Sequence, residues 1–334
     1  MLKYVALCMG EGSSTIVEAI LKTVSEKKLA KSFGLIVTGD LNIFRKTSED
    51  LGIPLSFDSY VSRDSELEEA RENNAQYIFY KTSMIDISGF EYGRPTKETG
   101  IASYESVRVA VNIILNSYAL TLVTPSVSSL SLGLAGYKEN TITDLLSVFA
   151  SSSRLTNMYR FEKANIFLLT YHGSVSESLQ NVREEKIMDA IINIESLFVS
   201  NFFDSSKPIA IAALNPDIGD GEWFGSEEKE IIEPVVKKAE MLGINAIGPV
   251  PVRDIYKRAE RGDYSAILVY FRNEVQSLIL DRNAVTITWG LPFLRVGITT
   301  GLELEKAGKG SADNSNLIKA IKLASELSRK HTFA

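Results

Sequence analysis

Along this chain, short apolar runs rich in β-branched residues alternate with longer segments whose apolar residues recur every three or four positions. An unbroken or alternating apolar run suits a strand, whereas steps of three and four put side chains on one face of a helix. The runs predict strands at Tyr4–Cys8, Gly34–Thr38, Tyr77–Tyr80, Leu120–Thr124, Ile166–Thr170, Ile209–Leu214, Ala266–Tyr270 and Val285–Trp289. Helical period is clearest at Ile187, Ile191, Ile194 and Phe198, a face that predicts core. A second helix is predicted from Ser226 through Ile232, Val235, Ala239 and Leu242, with Glu227 and Glu228 where the helix dipole favours negative charge. Pro234 kinks that helix or restarts it. The charged segment Ser62–Asn74 has no apolar stripe and reads as a solvated helix or loop. Strands alternating with helices predict βαβ units around a mostly parallel sheet.

At 334 residues the chain exceeds the size at which one hydrophobic core stops growing, so two domains are expected. The expected division is 1–125 plus 288–334 for one lobe and 126–287 for the other. A hydrophobic fraction of 45% with 23% charged residues is globular composition, and no run of about 18 uncharged apolar residues could span a bilayer. The net charge is −6, and no stripe of Lys and Arg interleaved with aromatics offers a surface for nucleic acid. Membranes and nucleic acids are therefore not expected partners. The apolar start of the chain runs into Gly10-Glu11-Gly12 without a small-residue cleavage site and reads as a first buried strand. Cys8, the single cysteine, forbids an internal disulfide and reads as a packed thiol, which suits a reducing cytoplasm.

Three stretches could carry chemistry. Met9-Gly10-Glu11-Gly12-Ser13-Ser14-Thr15 follows a strand and opens a helix, so its backbone amides could meet an anion. It is an imperfect dinucleotide fingerprint, with Thr15 where a third glycine belongs and Asp40 at the distance of a ribose-binding acid. A strand-to-helix turn built from small residues explains it equally well. Leu214-Asn215-Pro216-Asp217-Ile218-Gly219-Asp220-Gly221-Glu222 is a strand end that breaks into a glycine-rich loop with three carboxylates. Ligands bind beyond the carboxyl ends of strands in open α/β sheets, although the same residue types dominate solvated turns. In Trp289-Gly290-Leu291-Pro292-Phe293-Leu294-Arg295, one arginine sits in an apolar, glycine-flanked stretch. Burying it without a partner would be costly, so Arg295 is an anion clamp or half of a structural ion pair. There are two histidines: His172, after a predicted strand, and His331, in the tail. No Ser-His-Asp order with a G-x-S-x-G elbow occurs, which disfavours hydrolase chemistry.

In order and spacing, Leu214-Asn215-Pro216, Gly225-x-Glu227-Glu228, Gly248-Pro249-Val250-Pro251, Gly290-Leu291-Pro292-Phe293-Leu294-Arg295 and Ala307-Gly308-Lys309-Gly310 resemble the 4-hydroxythreonine-4-phosphate dehydrogenase family of vitamin B6 synthesis. Weaker matches at Gly10-Glu11 through Glu18 and at Thr124-Pro125 extend the resemblance over nearly the whole chain. It implies an α/β, isocitrate/isopropylmalate dehydrogenase-like architecture of two α/β/α lobes with a central cleft, in a homodimer. It also implies NAD as cofactor, a divalent metal held by three histidines, and a small anionic substrate. In that chemistry the secondary alcohol of a phosphorylated hydroxy acid is oxidised and the resulting β-keto acid loses carbon dioxide, with the metal polarising the oxygen.

The resemblance places His172 at the first metal-ligand position, Asp217 at the second and Phe271, which cannot ligate, at the third. Asp217, Asp220 or Glu222 in place of imidazole would favour a hard ion such as Mg²⁺ or Mn²⁺. The substrate motif G-H-T-E reads Gly136-Tyr137-Lys138-Glu139, a family lysine falls at Ser129, a family asparagine at Thr286, and the lysine expected after Gln276 is missing among Leu278, Ile279 and Leu280. The cofactor loop D-H-G reads Thr299-Thr300-Gly301. On this reading His172, Asp217 and Lys138 are the catalytic candidates. Arg295, Tyr137, Lys138, Arg272 and Asn215 bind substrate, and Gly290, Gly301, Glu305 and Gly308 bind cofactor. Arg295, His172 and Asp217 are expected to face one cleft. Three functions follow from these departures: a metal-assisted NAD-dependent dehydrogenase with an altered active site, a homologue that has lost the metal site and binds an anion or nucleotide without that chemistry, or a family enzyme of a different reaction with Lys138, Tyr137 and Arg272 as new anion and proton groups.

Overall fold

The computed structural model describes residues 2–27, 30, 33–153, 155–161, 164–170, 174–198, 202–281 and 284–330. Two compact units are formed, the first from residues 1–156 and 285–334 and the second from 157–284. In chain order the first contribution comprises strands β1 (Lys3–Cys8), β2 (Phe33–Asp40), β3 (Ser59–Val61), β4 (Tyr77–Ser83) and β5 (Thr121–Thr124). With them come helices α1 (Ile16–Ser25), α2 (Leu41–Leu51), α3 (Asp64–Glu72), α4 (Lys97–Leu115), α5 (Ser129–Leu134) and α6 (Ile142–Phe149). The second unit contains β6 (Thr156–Phe161) from its second residue on, β7 (Ala164–Thr170), β8 (Ile209–Ala212), β9 (Ala246–Val250) and β10 (Ala266–Phe271). Its helices are α7 (Val175–Leu179), α8 (Glu184–Leu197), α9 (Glu233–Met241), α10 (Val252–Arg261) and α11 (Arg272–Asp281). The chain returns to the first unit with β11 (Val285–Trp289), β12 (Leu294–Ile298) and α12 (Ser315–Lys330).

In the first unit the strand order is β3-β4-β2-β1-β5-β12-β11. All neighbours run parallel except β11, which pairs antiparallel with β12. Residues Tyr4 to Cys8 and Phe33 to Asp40 are buried throughout, as expected of parallel strands covered on both faces. The second unit orders its strands β6-β7-β10-β8-β9, with β6 antiparallel to β7 and the others parallel. The α/β class and the mostly parallel pairing agree with the sequence reading.

The first crossing between units comes after Thr156 rather than at 125–126, and the return after Ala284 rather than at 287–288. Packing explains the difference. Leu132, Leu145 and Leu146 of α5 and α6 are buried in one cluster with Ile113 and Val107 of α4, so this segment completes the first core. The residues Ile187, Ile191, Ile194 and Phe198 are buried as their period requires. Ser62–Asn74 contains the short surface helix α3, and Pro234 stands in the first turn of α9, which restarts after a π turn at Glu228–Ile232. Strands β3, β6, β9 and β12 lie outside the predicted runs, since β3 is short, β6 polar, β9 interrupted by Gly248-Pro249 and β12 by an arginine. Among the described residues no helix is long and apolar enough to cross a membrane.

Candidate functional site: a pocket at the first turn of α1

Beyond the carboxyl ends of β1, β5 and β12, the first unit forms a narrow pocket. Its walls come from Ser14, Thr15 and Ile16 at the entry to α1, Pro125 and Ser126 after β5, Thr300, Gly301 and Leu302 after β12, and Asp313 and Leu317 around the start of α12. Open α/β sheets bind ligands at this end of their strands. The first-turn amides of a helix lack intrahelical acceptors and carry the positive end of its dipole, so the α1 entry can hold an anion.

Hydrogen bonds between distant segments and within the turn fix these walls. Gly10 takes a left-handed φ of 71°, and a Cβ there would lie 2.8 Å from the Ser126 carbonyl. Only glycine allows that approach, which lets Glu11 N donate to Ser126 O at 3.1 Å. The fully buried Glu11 carboxylate accepts from Ser13 N at 3.1 Å, Ser13 Oγ at 2.8 Å and Ser131 Oγ at 2.5 Å, so it organises the turn internally. Thr15 N donates to Leu302 O at 3.3 Å. Asn316 Oδ1 accepts from Thr299 N at 2.9 Å and from Thr300 N and Oγ1 at 3.4 and 3.2 Å, tying the 299–301 loop to α12. Asp313 accepts from Ser315 N and Oγ, and those bonds hold its carboxyl below the usual range.

The fingerprint reading of Asp40 is corrected. Asp40 is fully buried and caps α2, accepting from Asn42 N at 2.9 Å and Ile43 N at 3.2 Å, while its second oxygen accepts from Ser83 Oγ and Ile85 N at 3.0 and 2.7 Å. With those acceptor positions filled inside the fold it is a capping residue, not a ribose acid. Of the expected cofactor residues, Gly301 lies in the pocket wall. Gly308 packs against the Tyr92 ring, and Glu305 is exposed in the short turn Leu304–Lys306. The neighbouring Glu303 is the carboxylate drawn inward, accepting from Thr15 Oγ1 at 3.4 Å and Lys306 Nζ at 2.6 Å. Gly290 stands in the turn between β11 and β12, at the opposite end of β12 from Gly301, and is not brought to this pocket.

Arg295, on β12, is 4% exposed. Its Nε donates to Thr124 Oγ1 at 2.7 Å, and Nη1 to Thr286 and Thr288 Oγ1 at 3.0 Å each. Two positions matched to the family pattern, 286 and 295, thus bond to one another. Tyr137 stacks face to face on Tyr104, ring centroids 3.8 Å apart, with Phe149 edge-on to Tyr104. Lys138 is exposed beside it.

In the second unit, Asn215 begins the loop after β8. Its N and Leu214 N donate to Glu228 Oε1 at 2.6 and 2.8 Å, and its Nδ2 to Glu227 Oε2 and Glu228 Oε2 at 2.7 and 2.9 Å. Burial alone would raise the Glu228 carboxyl, but these donors outweigh it and hold it below the usual range. Asp217 and Asp220 are exposed and Glu222 pairs with Lys229. Residues 217 to 222 all have positive φ, so the loop is a left-handed turn. Phe271 ends β10, its N donating to Glu274 Oε2 at 2.5 Å, and Arg272 is exposed. His172 lies outside the described residues. Among the described residues no group of three or more His, Cys, Asp or Glu is arranged to hold a metal ion. With Phe271 at the third position, the donors at hand do not fit a three-ligand site.

Sequence reasoning missed Asn316, Asp313 and the Tyr104 partner of Tyr137. Asn and Asp immediately before an apolar-periodic segment mark a helix start, and that signal was available at Asp313-Asn314-Ser315-Asn316.

A family described as "Pyridoxal phosphate biosynthetic protein PdxA" matches residues 31–324. The chain is 27% identical over 329 residues to 4-hydroxythreonine-4-phosphate dehydrogenase of Geobacter metallireducens, covering 97% of this chain and 95% of that protein. It is 25% identical over 332 residues to a protein of Oceanobacillus iheyensis provisionally named a D-threonate 4-phosphate dehydrogenase, with 97% of each covered. The crystal structure of 4-hydroxythreonine-4-phosphate dehydrogenase from Klebsiella pneumoniae has the same fold, with a TM-score of 0.81 over 98% of both chains at 21% identity.

Proposed function

Because this chain belongs to the PdxA family of pyridoxal phosphate biosynthetic proteins, we propose that it is an NAD-dependent dehydrogenase of a phosphorylated hydroxy acid, acting with an altered active site. The observation that carries this reading is the family match over residues 31–324, and the narrow recess at the α1 entry, with Thr300 and Asp313 in its wall, is where the nucleotide is placed on this reading. At the α1 entry Thr15 N and Ile16 N are already bonded, to Leu302 O and Ser14 Oγ, so a dinucleotide pyrophosphate would meet the later amides of the first turn and the positive end of the helix dipole. Asp313 suits a ribose hydroxyl as acceptor, and its negative charge would repel a 2′-phosphate, which favours NAD over NADP.

NAD, if bound, would supply the hydride acceptor for oxidation of a secondary alcohol. The chain's own groups seat the anionic substrate, order the nucleotide and keep water from the transfer. Lys138 and Arg272 are exposed cations available to a phosphate or carboxylate, with the Tyr137 hydroxyl as a further polar group and Asn215, whose N and Nδ2 are bonded to Glu227 and Glu228, assigned through its Oδ1 on the family pattern. Arg295 belongs to this reading through its guanidinium charge, and His172 and Asp217 as the groups that move the alcohol proton. No step is assigned to a metal, because Phe271 replaces a donor. Gly290 and Glu305 remain cofactor candidates only on the family pattern. A homodimer in the cytoplasm completes the reading, consistent with the buried Cys8 thiol, which burial pushes up to about 12.

A second reading, a homologue that binds nucleotide or anion without turnover, draws support from Phe271 and from Tyr137 lying stacked on Tyr104. One screen separates the two. Purified protein is offered NAD or NADP with D-threonate 4-phosphate or 4-hydroxythreonine 4-phosphate, while absorbance at 340 nm and melting temperature are followed. Turnover supports the dehydrogenase, a raised melting temperature without turnover supports the binding protein, and neither effect rejects both.

A further inference from the structure

One helix builds two parts of the pocket. The entry to α1 supplies Ser14, Thr15 and Ile16 to its wall, and the helix itself carries Glu18 in its first turn and Lys22 in its last. Glu18 is 1% exposed, and its Oε1 accepts from Ala312 N at 2.7 Å and from Lys22 Nζ at 2.8 Å. Lys22 Nζ also donates to Gly310 O and Ala312 O, at 2.9 Å each. A carboxylate and an ammonium four residues apart thus clasp three backbone groups of the segment that leads into Asp313, a pocket residue. The segment is held at its other end too, where Gly308, at a φ of 72°, leaves space for the Tyr92 ring that a Cβ would fill.

The second carboxylate oxygen of Glu18 is buried with no hydrogen-bond partner. A buried acceptor left unpaired is a cost, and a fold that needed only to secure a surface loop could do so from exposed side chains. Burying a carboxylate here gives the loop one fixed position relative to the α1 entry.

We propose that Glu18 and Lys22 are positioning residues that hold the 308–312 segment in register with the α1 entry, so that a nucleotide meets Asp313 and the helix amides together. The inference rests on the nucleotide reading of this pocket. Neither residue touches the ligand. Their effect passes through the backbone of Gly310 and Ala312.

The test measures NAD affinity by calorimetry and backbone hydrogen exchange of residues 307–314, in the full-length wild type and in Glu18→Ala, Glu18→Gln and Lys22→Met. Glu18→Ala is expected to weaken NAD by about tenfold and to speed exchange at Ala312, since a charge-assisted bond is lost. Glu18→Gln keeps an acceptor for Ala312 N and should recover most of that affinity. Lys22 is partly exposed, so Lys22→Met serves if Glu18→Ala does not fold, with a loss of about threefold expected. Unchanged affinity in a folded Glu18→Ala or Lys22→Met protein overturns the proposal. Wild-type protein that binds neither NAD nor NADP instead rejects the nucleotide reading, and the clasp's role with it.

Discussion

The guanidinium Nε of Arg295 donates to the hydroxyl of Thr124 at 2.7 Å, joining β12 to β5 inside the first unit. With Thr286 and Thr288 bonded to Nη1, the side chain serves as a cross-strand strut whatever it also does for a ligand. Arg295→Ala should lower unfolding free energy by about 2–4 kcal/mol, because it removes buried volume and the donor to the hydroxyls of Thr124, Thr286 and Thr288. Urea denaturation checks this. Unchanged stability would mean that the side chain contributes nothing to the core.

Asp40 distinguishes a cap from a cofactor contact. Removing its four acceptor bonds by Asp40→Ala should cost about 1–3 kcal/mol of stability. The affinity for NAD should be the same as in the wild type, which a parallel titration tests.

A pH dependence follows from Glu228. Its folded carboxyl titrates below the ordinary value, so its contribution is fully present above that value and is lost as pH falls through the folded one. Glu228→Gln should therefore cost about 1–3 kcal/mol at neutral pH and progressively less under acid. Chemical denaturation of both proteins from pH 7 down to the onset of acid unfolding reads the convergence; parallel curves would contradict it.

Gly308 has no tolerance for a side chain. Gly308→Ala must accept a left-handed backbone and displace the Tyr92 ring, at a cost of about 1–3 kcal/mol. On the nucleotide reading NAD affinity falls as well, and calorimetry reads both effects separately from the melting temperature.

Much of the architecture was legible because periodicity records burial. The apolar runs at Tyr4–Cys8 and Gly34–Thr38 are strands in the centre of a parallel sheet, and the Ile187 stripe packs as its spacing requires. β12 was missed because Arg295 interrupts an apolar run, and local pattern does not show that threonines from β5 and β11 will satisfy a cation. The unit boundary was misplaced for a similar reason. Whether α5 and α6 close the first core depends on long-range contacts to α4 that no window of sequence reveals.

For the site, the sequence singled out the turn at Gly10 and the segments at Gly301 and Gly308; Gly301 lines the pocket and Gly10 packs on its wall at Pro125 and Ser126, while Gly308 packs on Tyr92. It could not say that Asp40 is consumed by capping or that Glu303 rather than Glu305 turns inward. Both depend on side-chain direction at a helix start and in a tight turn, which spacing alone leaves open.

The most direct test of the central claim is hydrogen exchange of the full-length protein with and without saturating NAD. The account predicts slowed exchange in residues 14–18, 299–302 and 307–313, the segments around the α1 entry. Protection confined to other segments, or none at a concentration that saturates binding, would contradict it.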